Sequence, residues 1–102
     1  GVLPGMNVSA ENEGGQGSGN SVEITLDNGT YDDTYKNKYG TIQYSTNYRD
    51  NSTSAEWKEI SELTASDNQG KSKYTIQGEN VYIKITYAQG STYKAEIPNG
   101  VD

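Results

Sequence analysis

Fourteen carboxylates, no histidine and no cysteine set the chemical range of this 102-residue chain. The commonest general base and transition-metal ligand is missing. Thiol catalysis and structural zinc go with the cysteines, and a serine nucleophile lacks its histidine base. A pair of carboxylates suffices for glycoside hydrolysis. The acids here fall in turns and on outward strand positions, where water holds them near ordinary acidity and splits no acid–base pair. The expectation is a protein that is not an enzyme. No cofactor is expected either, since the glycines between positions 14 and 19 follow no strand and form no phosphate-binding motif.

Two clusters of residue types remain. Asp27, Asp32 and Asp33 gather beside Asn28, oxygen ligands of the kind that suit calcium. Their spacing is not that of an EF-hand loop, and the same residues serve turn chemistry equally well. The second cluster is aromatic: nine tyrosines, one tryptophan and no phenylalanine. Tyr31, Tyr35 and Tyr48 flank polar loops, and with Trp57 they are the candidate ligand-binding residues, a platform for sugar or for a protein partner. The competing reading is that tyrosine replaces phenylalanine at the rim of a thin fold, with the ring packed inward and the hydroxyl reaching water. Tyr74, Tyr87 and Tyr93 are assigned to that rim.

The elements that position these residues are strands. Val22, Ile24 and Leu26 alternate with polar residues up to the turn signal Asp27-Asn28-Gly29. Thr30–Lys38 is polar and irregular. Ile42 and Tyr44 share a face within Tyr39–Tyr48. Ala55–Ile60, with Trp57 and Ile60 three apart, fits a bulged strand or one helical turn, and the strand is favoured. Asp67–Gly70 is a turn, and Tyr74 and Ile76 share a face in Lys73–Gln77. Val81, Ile83, Ile85 and Tyr87 alternate up to Gly90, and Tyr93, Ala95 and Ile97 alternate after it. The two runs read as a hairpin with a three-residue loop, Ala88–Gly90.

Ser9–Ser21 is rich in Gly, Ser, Asn and Glu. It reads as a flexible linker, or as a long loop after a first strand at Val2–Val8. The expected organisation is an N-terminal strand and/or linker over 1–20, a β-sandwich over 21–99 and a tail over 100–102. Six or seven short strands separated by turns suggest an all-β, antiparallel sandwich or barrel.

The formal charge is −6, and Arg49 is the sole arginine. A nucleic-acid partner needs a positive face, so none is expected, and no membrane insertion is expected because no run of 18 apolar residues occurs. Three N-glycosylation acceptor patterns, at Asn7, Asn28 and Asn51, are of the kind that chance supplies in a chain rich in Asn, Ser and Thr.

The order of signals resembles a fibronectin type III or related immunoglobulin-like domain of a bacterial surface protein. The resemblance covers Ser21 to Pro98. It runs through the early strand Ser21–Asp27, Gly40-Thr41-Ile42-Gln43-Tyr44-Ser45-Thr46-Asn47 and Trp57-Lys58-Glu59-Ile60. It continues through Tyr74-Thr75-Ile76-Gln77-Gly78 into Val81–Tyr87 and closes with Thr92–Ile97. Such families place a core tryptophan at the end of the second strand, where this chain has Leu26-Asp27. The resemblance implies an all-β, antiparallel immunoglobulin-like β-sandwich of six or seven short strands, serving as a spacer or adhesion domain of a secreted or cell-surface protein, partnered by protein or by cell-surface glycan. The alternative is a carbohydrate-binding module that uses its exposed Tyr and Trp side chains.

Overall fold

The computed structural model describes residues 3–12, 20–48, 54–78 and 80–89. Along them run β1 (Met6–Asn12), β2 (Asn20–Leu26), α1 (Asp33–Lys38), β3 (Gly40–Ser45), β4 (Lys58–Glu59), a 3-10 turn (Ile60–Glu62), β5 (Ser66–Asn68), β6 (Lys71–Gly78) and β7 (Tyr82–Tyr87). The period-two pattern works as read. In β2, Val22, Ile24 and Leu26 are buried, and the antiparallel register sets Val22 opposite Ile76 and Ile24 opposite Tyr74 of β6. The outward row of the same pair carries charge. Lys73 Nζ lies 3.2 Å from Glu23 Oε2, and beyond the end of β2 Lys71 Nζ lies 3.6 Å from Asp27 Oδ1.

The four-stranded sheet has the order β1-β2-β6-β5, and the three-stranded sheet the order β4-β3-β7. In the second sheet Ile42 faces Ile85 and Tyr44 faces Ile83. One core joins the two sheets: Val22, Ile24, Leu26, Tyr74 and Ile76 from the first meet Ile42, Val81, Ile83 and Ile85 from the second. Leu3, Met6, Tyr31 and Ile60 complete it. The chain is an all-β sandwich of two antiparallel sheets. β1, β2, β5 and β6 form one layer, and β3, β4 and β7 form the other.

Several elements differ from the sequence reading. Ser9–Asn12 is strand rather than linker, paired with Asn20–Glu23, because the ladder to β2 satisfies its backbone whatever its side chains. Asn20 and Ser21, the end of the expected linker, already belong to β2; 13–19 lie outside the described residues, as do the strand expected at Thr92–Ile97 and the Gly90 turn. Thr30–Lys38 contains the helix α1, capped by Asp32, whose Oδ1 accepts the Tyr35 N–H at 2.9 Å. Trp57 precedes the two-residue β4 rather than lying inside a longer strand, and the chain then turns as 3-10 helix. Ser66–Asn68 forms β5, joined to β6 by a two-residue turn with Gln69 and Gly70 both at positive φ, the turn geometry that suits a twisted hairpin.

Candidate functional site

The candidate aromatic residues fall into two separate clusters. Tyr31, just before α1, is only 6% exposed. Its hydroxyl accepts the Ile42 N–H at 2.9 Å and donates to Glu59 Oε1 at 2.6 Å. The reason lies in strand length. β4 pairs Glu59 with Gln43 and Lys58 with Tyr44, and one more step of that register would set Ile60 opposite Ile42. The chain enters its 3-10 turn there, and the phenolic oxygen takes the place a strand carbonyl would have had. Lys36 Nζ stands 3.5 Å from Glu59 Oε1 and 5.6 Å from the centre of the Tyr31 ring. Burial, and then the hydrogen bond to Glu59, push the Tyr31 hydroxyl well above the ordinary tyrosine range. The oxygen is held between the Ile42 N–H, from which it accepts, and Glu59, to which it donates. Tyr35 packs between Tyr31 and Tyr39, with ring centres 5.8 and 5.0 Å away.

Tyr48 and Trp57 lie against the outward face of the three-stranded sheet, where sequence reasoning did not place Tyr82 and Lys84 beside them. The Tyr48 ring centre is 5.5 Å from Trp57 and 4.7 Å from Tyr82, and Lys84 Nζ sits 5.1 Å over Trp57. Trp57, Tyr82 and Lys84 are half-buried, and Tyr48 is 8% exposed. Asn47 holds the loop in place. Its Oδ1 accepts the Ser45 hydroxyl at 2.8 Å and the Glu56 N–H at 2.9 Å, while its own N–H donates to Ser45 Oγ at 3.1 Å. The signal for Tyr82 and Lys84 was present in the alternation: they are the outward partners of Ile83 and Ile85.

Neither cluster is a flat platform. Tyr31 and Tyr35 are tilted by 56°, Tyr48 and Trp57 by 48°, so neither pair can stack together on one flat face of a sugar.

The calcium candidates do not converge. Asp32 caps α1, Asp33 pairs with Lys36 at 3.5 Å, and Asp27 accepts from Asn7 Nδ2 at 3.1 Å besides its pairing with Lys71. Among the described residues no three acidic side chains come together as a metal site. One is a helix cap and the other two pair with lysines.

A groove of about 350 Å³ opens where the 3–5 segment, the β2–α1 connection and α1 meet, with Tyr35 and Tyr39 on its wall. A smaller cavity, about 200 Å³, lies between the sheets beside Tyr44, Leu63 and Ile76.

Set against known protein families, characterised proteins and solved structures, the chain shows no match.

Proposed function

We propose that this domain is a non-catalytic structural or protein-interaction module, a spacer or adhesion domain of a secreted or cell-surface bacterial protein, related to the fibronectin type III-like sandwiches. The observation that carries the reading is the outward face of the three-stranded sheet. There Tyr48, Trp57 and Tyr82 pack into one cluster with Lys84 over the indole. Aromatic side chains held rigidly at a surface are what protein interfaces use for their energetic centres. A tilted cluster with a half-buried tryptophan suits a shaped protein partner better than the flat face of a sugar. The partner is a protein at a cell surface, and the sandwich supplies a stiff frame for presenting that face.

The test compares adhesion of domain-coated beads to cultured epithelial cells that are untreated, protease-treated or glycosidase-treated. The proposal expects adhesion that protease abolishes and glycosidase leaves intact. Adhesion lost only to glycosidase would transfer the function to the carbohydrate-binding alternative.

A further inference from the structure

The groove beside α1 shares no lining residue with the Tyr48–Trp57–Tyr82 cluster, and its chemistry differs. We infer that it binds a neutral sugar ring. Its volume of about 350 Å³ falls at the small end of the roughly 300–1,000 Å³ typical of ligand sites. Apolar surface comes from Pro4 and from Tyr35 and Tyr39, whose rings meet edge-on at 5.0 Å, so that a sugar would meet one ring and not a coplanar pair. The rim carries Asn28, Thr30, Asp32 and Thr34, all exposed. Amide, hydroxyl and carboxylate groups beside an aromatic wall match a ring that has an apolar C–H face and a circle of hydroxyls.

Charge selects a neutral ligand. Asp27 and Asp32 line the groove and disfavour an anion. A cation finds its place occupied: Lys38 also lines the groove, with its Nζ 5.3 Å over the Tyr39 ring, and Lys71 already pairs with Asp27. The groove is also preformed. The Asp27 N–H donates to the Gly5 carbonyl at 2.8 Å, the Gly29 N–H to the Leu26 carbonyl at 3.3 Å and the Tyr35 hydroxyl to the Pro4 carbonyl at 3.4 Å. These bonds fix its three walls before any ligand arrives.

The experiment titrates the ¹⁵N-labelled domain with cellobiose, lactose and N,N′-diacetylchitobiose, followed by amide chemical shifts. Concentrations reach roughly ten times the ~1 mM Kd of a weak site. The inference expects at least one disaccharide to shift Gly5, Asn28, Gly29, Thr34 and Tyr35 while the Trp57 indole stays still. Thr34→Arg, which fills the groove from an exposed position, should weaken binding about tenfold or more. Asn28→Ala, which removes a rim amide and leaves the helix intact, should weaken it several-fold, and the unshifted remainder of each spectrum reports that the variant is folded. The inference is overturned by absence of groove shifts with all three sugars, by shifts that persist unchanged in both variants, or by a response only to a cationic probe such as N-acetylarginine amide.

Discussion

Tyr31 and Glu59 are joined by a 2.6 Å hydrogen bond that closes the edge of a strand. The same Tyr31 oxygen accepts the Ile42 N–H, so one side chain finishes the ladder where β4 stops after two residues. An exposed strand edge invites pairing with other chains, and covering it is a recurrent device. Here a tyrosine does the covering, and it ties the segment before α1 to the three-stranded sheet.

Tyr31→Phe keeps the ring and leaves the Ile42 N–H without its acceptor. An unsatisfied buried donor costs about 1–3 kcal/mol. Urea denaturation should show a lower midpoint with an unchanged slope. Glu59→Gln, which keeps an acceptor for the phenol, should cost less than Tyr31→Phe. The reverse ranking would mean that Glu59 matters chiefly through Lys36.

Alkaline pH offers a second view of the same group. The Tyr31 hydroxyl is raised above its ordinary value of 10.0, by burial first and by Glu59 second. Above pH 10 the unfolded chain loses this proton while the folded chain keeps it, so the unfolded state binds fewer protons and stability falls as pH rises. Below pH 10 the contribution is fully present. Stability measured from pH 8 upward should decline less steeply in Tyr31→Phe than in the parent, and parallel declines would show that Tyr31 ionises alike in both states.

Ile85 is 1% exposed in the centre of the core. Ile85→Ala should lower stability by about 2–5 kcal/mol, enough to unfold a domain of this size. Lys84, its neighbour on the outward face, gives up its place over Trp57 in Lys84→Ala, for about 0.5–1 kcal/mol. Equal losses in chemical denaturation would mean that the faces of β7 are reversed.

Gly40 opens β3 at φ 141°, and a side-chain carbon there would collide with the Thr86 carbonyl oxygen across the sheet. Gly40→Ala should cost at least about 2 kcal/mol, from backbone strain together with a displaced β7. Gly29, at φ 99°, has open space around it, so Gly29→Ala should cost only the conformational strain, about 1 kcal/mol. Thermal melts of the two variants separate the effects, and a milder loss at Gly40 would contradict the close approach of β3 and β7.

The sequence was legible where burial imposes a period. Val22, Ile24 and Leu26, then Tyr74 and Ile76, then Val81, Ile83 and Ile85 all lie on the inward faces their alternation predicts. It was opaque where polar backbone is organised by partners distant in the chain. α1 buries none of its residues fully and β5 is exposed throughout, so neither leaves an apolar pattern. The C-terminal half of β1 is strand because β2 lies beside it. Among the candidate ligand-binding residues, Tyr31 and Tyr48 were read as exposed, yet both are buried. Loop-flanking tyrosines look alike in sequence whether the hydroxyl meets water or, as at Tyr31, a backbone N–H and a carboxylate. The grouping of Tyr48 with Trp57 and Tyr82 depends on the Asn47 anchor, a contact that composition does not encode.

The most direct test of the interaction reading is bead adhesion to untreated epithelial cells by three forms of the domain: the parent, a Trp57→Ala/Tyr82→Ala variant and Thr34→Arg. Circular dichroism and denaturation are measured on each, so that loss of fold is separated from loss of contact. Truncating central aromatic residues of an interface typically costs 2 kcal/mol or more, roughly a thirtyfold loss of affinity. The account predicts that the folded double variant loses adhesion while Thr34→Arg keeps it. Adhesion by the double variant at the level of the parent would contradict the assignment of partner binding to the outward face of the three-stranded sheet.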